Sequence, residues 1–459
     1  RDASHMTLGN PLAVALPQTA HQTAAVISAC AEAGVPVVCR GTGTGLSGGA
    51  VPPEDAVVLS TARMTWLDPV DDPGCRVRAG TGVINDRVTA HASSCGLHFA
   101  PDPSSQSAAS IGGNIAENAG GPHCLRHGVT LQHLHRLEWC DARGRSLSTG
   151  SSHPAQRGFH LTSLLCGSEG TLGVVTSADL ALVPDPPQVA TLLAVFPLLD
   201  EATAGVVQLL GTGLLPVAVE MVDRSMLQAV EQAFSFGFPT DVEAAMICEF
   251  AGQAEEVAED SSRALDLLQR AGAREVRRAA DQAERLALWK CRKKAFGAVG
   301  RLAPGYVTMD VVVPLGELPR LVSQIQVIKQ KHQVDIATAF HAGDGNLHPG
   351  VQYDDRDPDQ TRRAHAAADE IIQDALARDG SCTGEHGVGL EKLHAVPWQI
   401  DAEYARLQHR IKSLFDPANL MNPGKMLPPL DSDFADGKPI PASTEFAWDS
   451  LTVTAPASA

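Results

Sequence analysis

Arg40-Gly41-Thr42-Gly43-Thr44-Gly45-Leu46-Ser47-Gly48-Gly49 stands behind an apolar run, residues 35–39, that reads as a buried strand. Gly43, Gly45 and Gly48 match G-x-G-x-x-G. A Rossmann site also needs a helix directly after the glycines, because the pyrophosphate sits on its N-terminus. Here Pro52-Pro53 follow, and a proline pair blocks the first turn of a helix. The loop is therefore not of that kind. Its five glycines, with Thr42, Thr44 and Ser47 between them, instead present bare backbone N–H groups that can wrap a phosphate without a helix. A plain turn is the bland alternative for any single glycine loop.

Two further segments weigh against the plain turn. Pro101-Asp102-Pro103-Ser104-Ser105 leads into Ser110-Ile111-Gly112-Gly113-Asn114 and then Asn118-Ala119-Gly120-Gly121. Gly167-Ser168-Glu169-Gly170-Thr171-Leu172-Gly173 is the third. Glycine lets backbone approach a ligand closely. Three such segments in one domain point to a large cofactor carrying a diphosphate. The stretch 100–122 shows no periodicity and reads as a functional or disordered connection.

Around these loops strands and helices alternate. Residues 19–33 read as a helix with Thr19 as N-cap and Gly34 past its end, and residues 56–59 as a strand. Pro184-Asp185-Pro186-Pro187 marks a boundary. Beyond it come strands at 190–196, 215–221, 244–250 and 306–313, with helices at 201–210, up to 234, 255–271 and 283–298. This pattern predicts an α+β domain with a mainly antiparallel sheet. A helix at 403–414 and the turn Asn422-Pro423-Gly424-Lys425 return to the first domain. The tail from residue 430 has the composition of a disordered segment.

The 459 residues are 44% apolar and carry a net charge of −17, which excludes a nucleic-acid partner and direct binding to an anionic membrane. No apolar run reaches the ~18 residues of a membrane-spanning helix. The ten cysteines include no C-x-x-C, so neither an iron–sulfur cluster nor a zinc ribbon is expected within the chain, and their scatter suits a reducing cytosol. No signal peptide is expected. The start at Arg1 suggests missing upstream sequence, with Ser4-His5-Met6 as an alternative cloning remnant.

A second constellation lies in His341-Ala342-Gly343-Asp344-Gly345-Asn346-Leu347-His348, between two apolar runs. Asp344-Gly345 is a two-residue hairpin signal. With that turn His341 pairs with His348, and their Cβ atoms stand about 4.5–5.5 Å apart, close enough for one metal. A third ligand must come from elsewhere, and Gly384-Glu385-His386-Gly387 is the other place where His and Glu cluster between glycines. Two histidines and a carboxylate leave open positions on Zn, Mn or Fe. One histidine near a turn is ordinary; the four residues together are not. The basic helix Trp289-Lys290-Cys291-Arg292-Lys293-Lys294-Ala295-Phe296 offers cations, with a solvated face as the bland reading for its lysines. His123, His127, His133 and His135 read as loop or surface residues, and Trp66, Trp139 and Trp398 as core.

These motifs together resemble the FAD-linked oxidases related to vanillyl-alcohol oxidase, over roughly residues 11–425. Within them the chain is similar to the FAD-binding catalytic subunits of bacterial glycolate oxidases, with D-lactate and D-2-hydroxyglutarate dehydrogenases as cousins. The resemblance implies a two-part FAD-binding domain (PCMH type) at 1–186, a substrate or cap domain at 187–385, a segment returning at 386–429, and a tail at 430–459. It implies FAD contacts from Arg40, Gly41, Thr42, Gly43, Thr44, Gly45, Leu46 and Ser47. Further contacts are implied from Pro101, Asp102, Pro103, Ser104, Ser105, Ser110, Gly112, Gly113, Asn114 and Gly120. Glu169, Gly170, Gly173, Val175 and Asn422 complete that set. His341, His348 and Glu385 match the family's divalent-metal ligands, His386 its catalytic base, Arg292 its substrate-carboxylate arginine, and Asn346 a polar position beside the ligands. The implied reaction oxidises a small D-2-hydroxy acid, glycolate or D-lactate, to the 2-oxo acid, moving a hydride from Cα to flavin N5 and electrons on to a partner subunit or quinone. The hydroxyglutarate enzymes put a lysine about where Thr308 stands and a threonine where Phe296 stands, so a monocarboxylate is expected here. Implied partners are a second flavin-fold subunit and an iron–sulfur subunit, in the cytoplasm and at a membrane only through those subunits. The alternatives are a D-2-hydroxyglutarate dehydrogenase, a flavin-free metallohydrolase on the same His/His/Glu set, and a non-catalytic partner subunit.

Overall fold

The computed structural model describes residues 2–151, 158–235 and 238–430, without the side chain of Phe296. All of the expected tail except Leu430 lies outside the described residues. The chain divides into two compact units. One comprises residues 1–121, 128–185 and 385–459, the other 122–127 and 186–384. The division differs from the expected boundaries in three places: Glu385 belongs to the first unit, and Pro186 and the short segment 122–127 belong to the second.

In the first unit a three-stranded parallel sheet runs in the order Ala13–Ala15, Val57–Ser60, Val37–Arg40. The helix Ala20–Ala33 that feeds it is capped as its sequence prescribes. The Thr19 side chain accepts from Gln22 N, and Gly34 takes the left-handed conformation at φ 65°. A four-stranded antiparallel sheet follows in the order Arg76–Gly80, Val174–Ala181, Leu134–Cys140, Ser146–Gly150. These strands carry mixed polar and apolar residues without a clean alternation, and their sequence signal is correspondingly weak. The helix Ala402–Phe415 leads back to Met421, which bridges to Val37 beside the parallel sheet.

The second unit is an eight-stranded sheet whose ladders are all antiparallel. Its order is Glu275–Arg278, Gln188–Phe196, Ala244–Gly252, Ala218–Asp223, Asp335–His341, Asn346–Tyr353, Gly305–Thr308, with Val311–Val312 also paired to Asn346–Tyr353. The expected helix over 283–298 is two helices, Gln282–Lys293 and Ala295–Val299. One face of the sheet packs Leu193, Val195, Ala218, Val222, Ala245, Ile247, Ala337 and Ala339 against Leu288, Trp289 and Cys291 of the first of these. Side chains alternate along a strand. Thr191, Glu220, Glu249 and His341 therefore share that covered face with their i±2 neighbours.

Candidate functional site

The glycine loop in the first unit opens from Arg40 without any following helix, as Pro52-Pro53 requires. Gly43 and Gly48 hold positive φ, 77° and 80°. A Cβ on Gly41 would stand 2.3 Å from Ser110 Oγ, so the loop rests directly on the second glycine segment. That segment is not a structureless connection. Ser110 caps a short helix, Ile111–Glu117, accepting from Gly113 N. The first amides of this helix are already used: Ile111 N donates to Val83 O and Gly112 N to Thr81 O. It therefore offers a ligand no open N-terminus. Pro101 O accepts from Asn85 Nδ2, and Gly121 packs against the Asp102 backbone, which fixes the 101–105 turn. Val175 sits on the strand Val174–Ala181 with its carbonyl accepting from Thr81 Oγ1.

The third glycine segment closes on the same loop. Glu169 and Gly170 both take positive φ, 51° and 70°, and a Cβ on Gly170 would lie 3.2 Å from Cys39. Asn422 ties the segments together: its Nδ2 donates to Gly49 O and to Glu169 O. Lys425 Nζ donates to Gly49 O and Asn422 Oδ1, and Leu390 N to Ser47 O. The Glu169 carboxylate accepts from Val388 N and Gly389 N, just beyond His386. Burial pushes the Glu169 carboxyl up, and pushes Glu117 further, with Glu169 as its second cause. Desolvation brings Lys425 down to about 8.

This cradle fits a large polar cofactor. Ser47 Oγ and both side-chain polar atoms of Asn114 are buried, yet find no hydrogen-bond partner among the described residues. Buried polar atoms are otherwise almost always partnered. Asn114, Ser47 and the loop amides thus form an incomplete polar lining around glycines that leave room for a ligand.

In the second unit the polar residues of the covered sheet face form a row. Glu220 stands directly opposite His341, and His341 opposite Asn346. This register corrects the expected hairpin, in which His341 faced His348. The loop is Ala342 to Gly345, four residues rather than two, with Asp344 N donating to His341 O and Gly345 at φ 77°. His348 pairs with Ala339 instead. The shift is by two residues, so parity keeps both histidines on one face. As diagonal neighbours their ring centroids are 5.1 Å apart in a T-shaped arrangement.

Helical spacing meets this row from above. Arg285, Trp289 and Arg292 lie at i, i+4 and i+7, one stripe of a helix. Arg285 and Trp289 Nε1 (2.7 Å) bond the Glu249 carboxylate, while Arg292 Nε lies 2.7 Å from Glu220 Oε2. The other Glu220 oxygen is 2.7 Å from His341 Nδ1. Arg292 is 2% exposed, and none of its three guanidinium nitrogens has a hydrogen-bond partner among the described residues, nor has Glu220 Oε2, so the Arg292–Glu220 contact is an ion pair by distance; buried Asn346 Oδ1 is likewise unpartnered. Asp310 Oδ1 lies 3.7 Å from His348 Nδ1, both fully buried. The second Asp310 oxygen accepts from Thr383 Oγ1 and Gly384 N. Gly384 is the residue before Glu385, which with His386 begins the C-terminal segment of the first unit. The donor set suits a divalent cation: two neighbouring imidazoles, each with a carboxylate beside Nδ1.

Some expectations for single residues fail. His133 is buried, edge-on to Phe99. His123 stacks on Trp289 at 5.1 Å and approaches Glu249 at 3.3 Å, which fastens segment 122–127 to the second unit. Trp66 is 38% exposed, beneath Arg78. Glu220 and Glu249 were missed; the signal available was an acid inside an otherwise apolar strand.

Comparison with known proteins agrees with the two folds. The FAD-linked oxidase C-terminal domain family matches residues 185–426, and the FAD binding domain family matches residues 11–150. The chain belongs to the FAD-linked oxidases and is an oxidoreductase with an FAD-binding domain. Over 420 residues it is 41% identical to the glycolate oxidase subunit GlcD of Escherichia coli strain K12, covering 92% of this chain and 84% of that one. It is 31% identical over 434 residues to the probable mitochondrial D-lactate dehydrogenase of Danio rerio, covering 93% and 86%. The solved 4-ethylphenol oxidase from Gulosibacter chungangensis superposes with a TM-score of 0.76 at 17% identity, over 90% of this chain and 89% of that one. That likeness concerns the fold alone. Among the described residues no helix is long and apolar enough to cross a membrane.

Proposed function

We propose that this oxidoreductase converts a small D-2-hydroxy monocarboxylate, glycolate or D-lactate, to the 2-oxo acid. The observation that carries the proposal is Arg292: a buried guanidinium ion-paired to Glu220 on its Nε side, with its terminal nitrogens unpartnered beside a pair of imidazoles. The identities of the glycolate oxidase and D-lactate dehydrogenase relatives support the substrate class. Arg292 takes the substrate carboxylate through Nη1 and Nη2, a two-pronged contact. His386 takes the hydroxyl proton, a task suited to an imidazole near neutral pH. Residues 40–47, 110–114 and 169–173 would hold FAD, which would supply the two-electron acceptor. A divalent cation on His341, His348 and Glu385 would polarise the substrate oxygens. Asn346 adds a polar contact beside them. The two electrons would leave to a partner subunit or a quinone.

Substrate size follows from charge. Thr308 offers no cation, Lys290 and Lys294 are exposed, Lys294 lying over Phe234, and Lys293 is half-buried with an interaction of its own. A second substrate carboxylate would be desolvated unpaired, at several kcal/mol or roughly a hundredfold in kcat/KM. The test compares glycolate, D-lactate, L-lactate, D-malate and D-2-hydroxyglutarate on one metal-replete preparation with a dye acceptor. Glycolate and D-lactate should lead, within roughly tenfold of each other. A dicarboxylate as best substrate would move the assignment to the hydroxyglutarate branch. In parallel, His386→Ala should keep flavin and metal yet lose about 10²–10⁴-fold in turnover.

A further inference from the structure

We infer that Glu220 is a positioning residue that joins the cation-binding and carboxylate-binding halves of the second unit's site, so that neither half holds its shape without it. The inference rests on the assignment of His341 to a cation and Arg292 to a substrate carboxylate. Glu220 is 1% exposed and sits mid-strand, opposite His341 in register. Its Oε1 lies 2.7 Å from His341 Nδ1, and its Oε2 lies 2.7 Å from Arg292 Nε. A carboxylate only accepts hydrogen bonds. Nδ1 of His341 therefore carries the hydrogen, and the Nε2 lone pair is the one available to a cation. On the other side the close ion pair at Nε holds the guanidinium by its stem side, although its geometry is not that of a hydrogen bond. Nη1 and Nη2, which have no hydrogen-bond partner among the described residues, are then the edge left for a carboxylate. One buried carboxylate thus sets a tautomer and holds a guanidinium in place together. It also balances the Arg292 charge, which would otherwise stand alone in the core.

Glutamine separates this role from simple packing. It has the shape of glutamate but one donor and one acceptor. Whichever way its amide turns, an N–H faces either His341 Nδ1 or Arg292 Nε. The full-length, flavin-loaded protein is assayed for bound divalent metal by elemental analysis, and for propionate affinity by perturbation of the flavin spectrum. Propionate carries the carboxylate without the 2-hydroxyl, so it reports the Arg292 side. Glu220→Gln should weaken metal or propionate binding by about 10–100-fold at wild-type flavin content. Wild-type affinity for both would overturn the inference. If Glu220→Gln does not fold, Glu220→Gln/Arg292→Met removes the stranded charge and lets the amide oxygen turn to His341. That double variant should regain metal at wild-type occupancy while propionate binding stays lost; an absence of metal would overturn the inference. The parent assignment is checked separately. His341→Ala retaining metal, or Arg292→Lys binding propionate as wild type, would sink that assignment and with it the premise. Loss in both of those variants with no loss in Glu220→Gln would sink only the role of Glu220.

Discussion

The two candidate sites differ in what they offer a ligand: around Gly41–Gly49 the chain presents backbone, whereas on the sheet of the second unit it presents buried side chains. In the first unit Gly43, Gly48 and Gly170 supply positive φ, and loop carbonyls such as Ser47 O and Gly49 O hold the segments together. The side chains of Thr42 and Thr44 are half-buried. In the second unit the candidate groups are side chains, although Gly384 packs closely on one of them: a Cβ there would lie 2.6 Å from Asn346 Nδ2. Glu220, Glu249, Arg285, Arg292, His341 and His348 place charged and titratable groups on one sheet face under one helix. A backbone site should be sensitive to any added Cβ and indifferent to side-chain trimming. A side-chain site should fail on the loss of a single charge or hydrogen-bond direction.

The largest expected effect is in the first unit. Gly389 has φ 50°, and a Cβ there would lie 2.1 Å from Ser47 O. Strain of about 1–3 kcal/mol, with a backbone collision added, should cost Gly389→Ala roughly a hundredfold or more in FAD affinity. Thr42→Ala should stay within about 0.5 kcal/mol of wild type. Flavin content after gel filtration reads both, and equal retention in the two variants would break the contrast. A middle-sized effect belongs to Arg292→Lys. An ammonium cannot keep Glu220 through Nε while offering two further nitrogens. Loss of a charged contact worth about 1.5–3 kcal/mol should lower kcat/KM roughly ten- to a hundredfold. Steady-state kinetics with D-lactate measure it, and a wild-type profile would remove Arg292 from the site.

The smallest effect concerns Asp223, which caps the helix Arg224–Phe234 and also accepts from Thr338 N. Burial raises its carboxyl to about 6 from the ordinary 3.8. The folded state therefore binds a proton that the unfolded state has lost between roughly pH 4 and 6, and the group's favourable contribution declines as pH rises through that window. Relative to Asp223→Ser, which keeps a cap, wild type should gain roughly 1 kcal/mol on going from pH 7 to pH 5. Urea unfolding of both proteins at the two pH values checks it, and a gain at the higher pH would show the sign to be wrong.

Legibility in the sequence followed the range of the interaction. The helix Ala20–Ala33 was readable with both caps, because Thr19 and Gly34 act within one turn. The strands after the domain boundary were readable from their apolar runs, except that the expected strand 306–313 is broken into Gly305–Thr308 and Val311–Val312, and that expected at 215–221 runs Ala218–Asp223. The helices Leu318–His332 and Pro358–Leu376 were not drawn out, and neither was the four-stranded sheet of the first unit. The polar atoms of Asn114 and Ser47 came to the right place because glycine strings signal close approach of backbone before any fold is known.

By itself the sequence determined that residues 40–49 could not be a Rossmann loop, since Pro52-Pro53 act on their immediate neighbours. It also determined that His341 and His348 share a face, because a hairpin shift of two residues preserves strand parity. Tertiary structure alone decided the actual register, in which a four-residue loop puts His341 opposite Asn346, as loop length reflects packing on both sides of the turn. It alone brought Glu220 between His341 and Arg292. Residues 220, 292 and 341 lie on three elements far apart in the chain, and only the antiparallel register and the roll of one helix place their polar atoms within 2.7 Å.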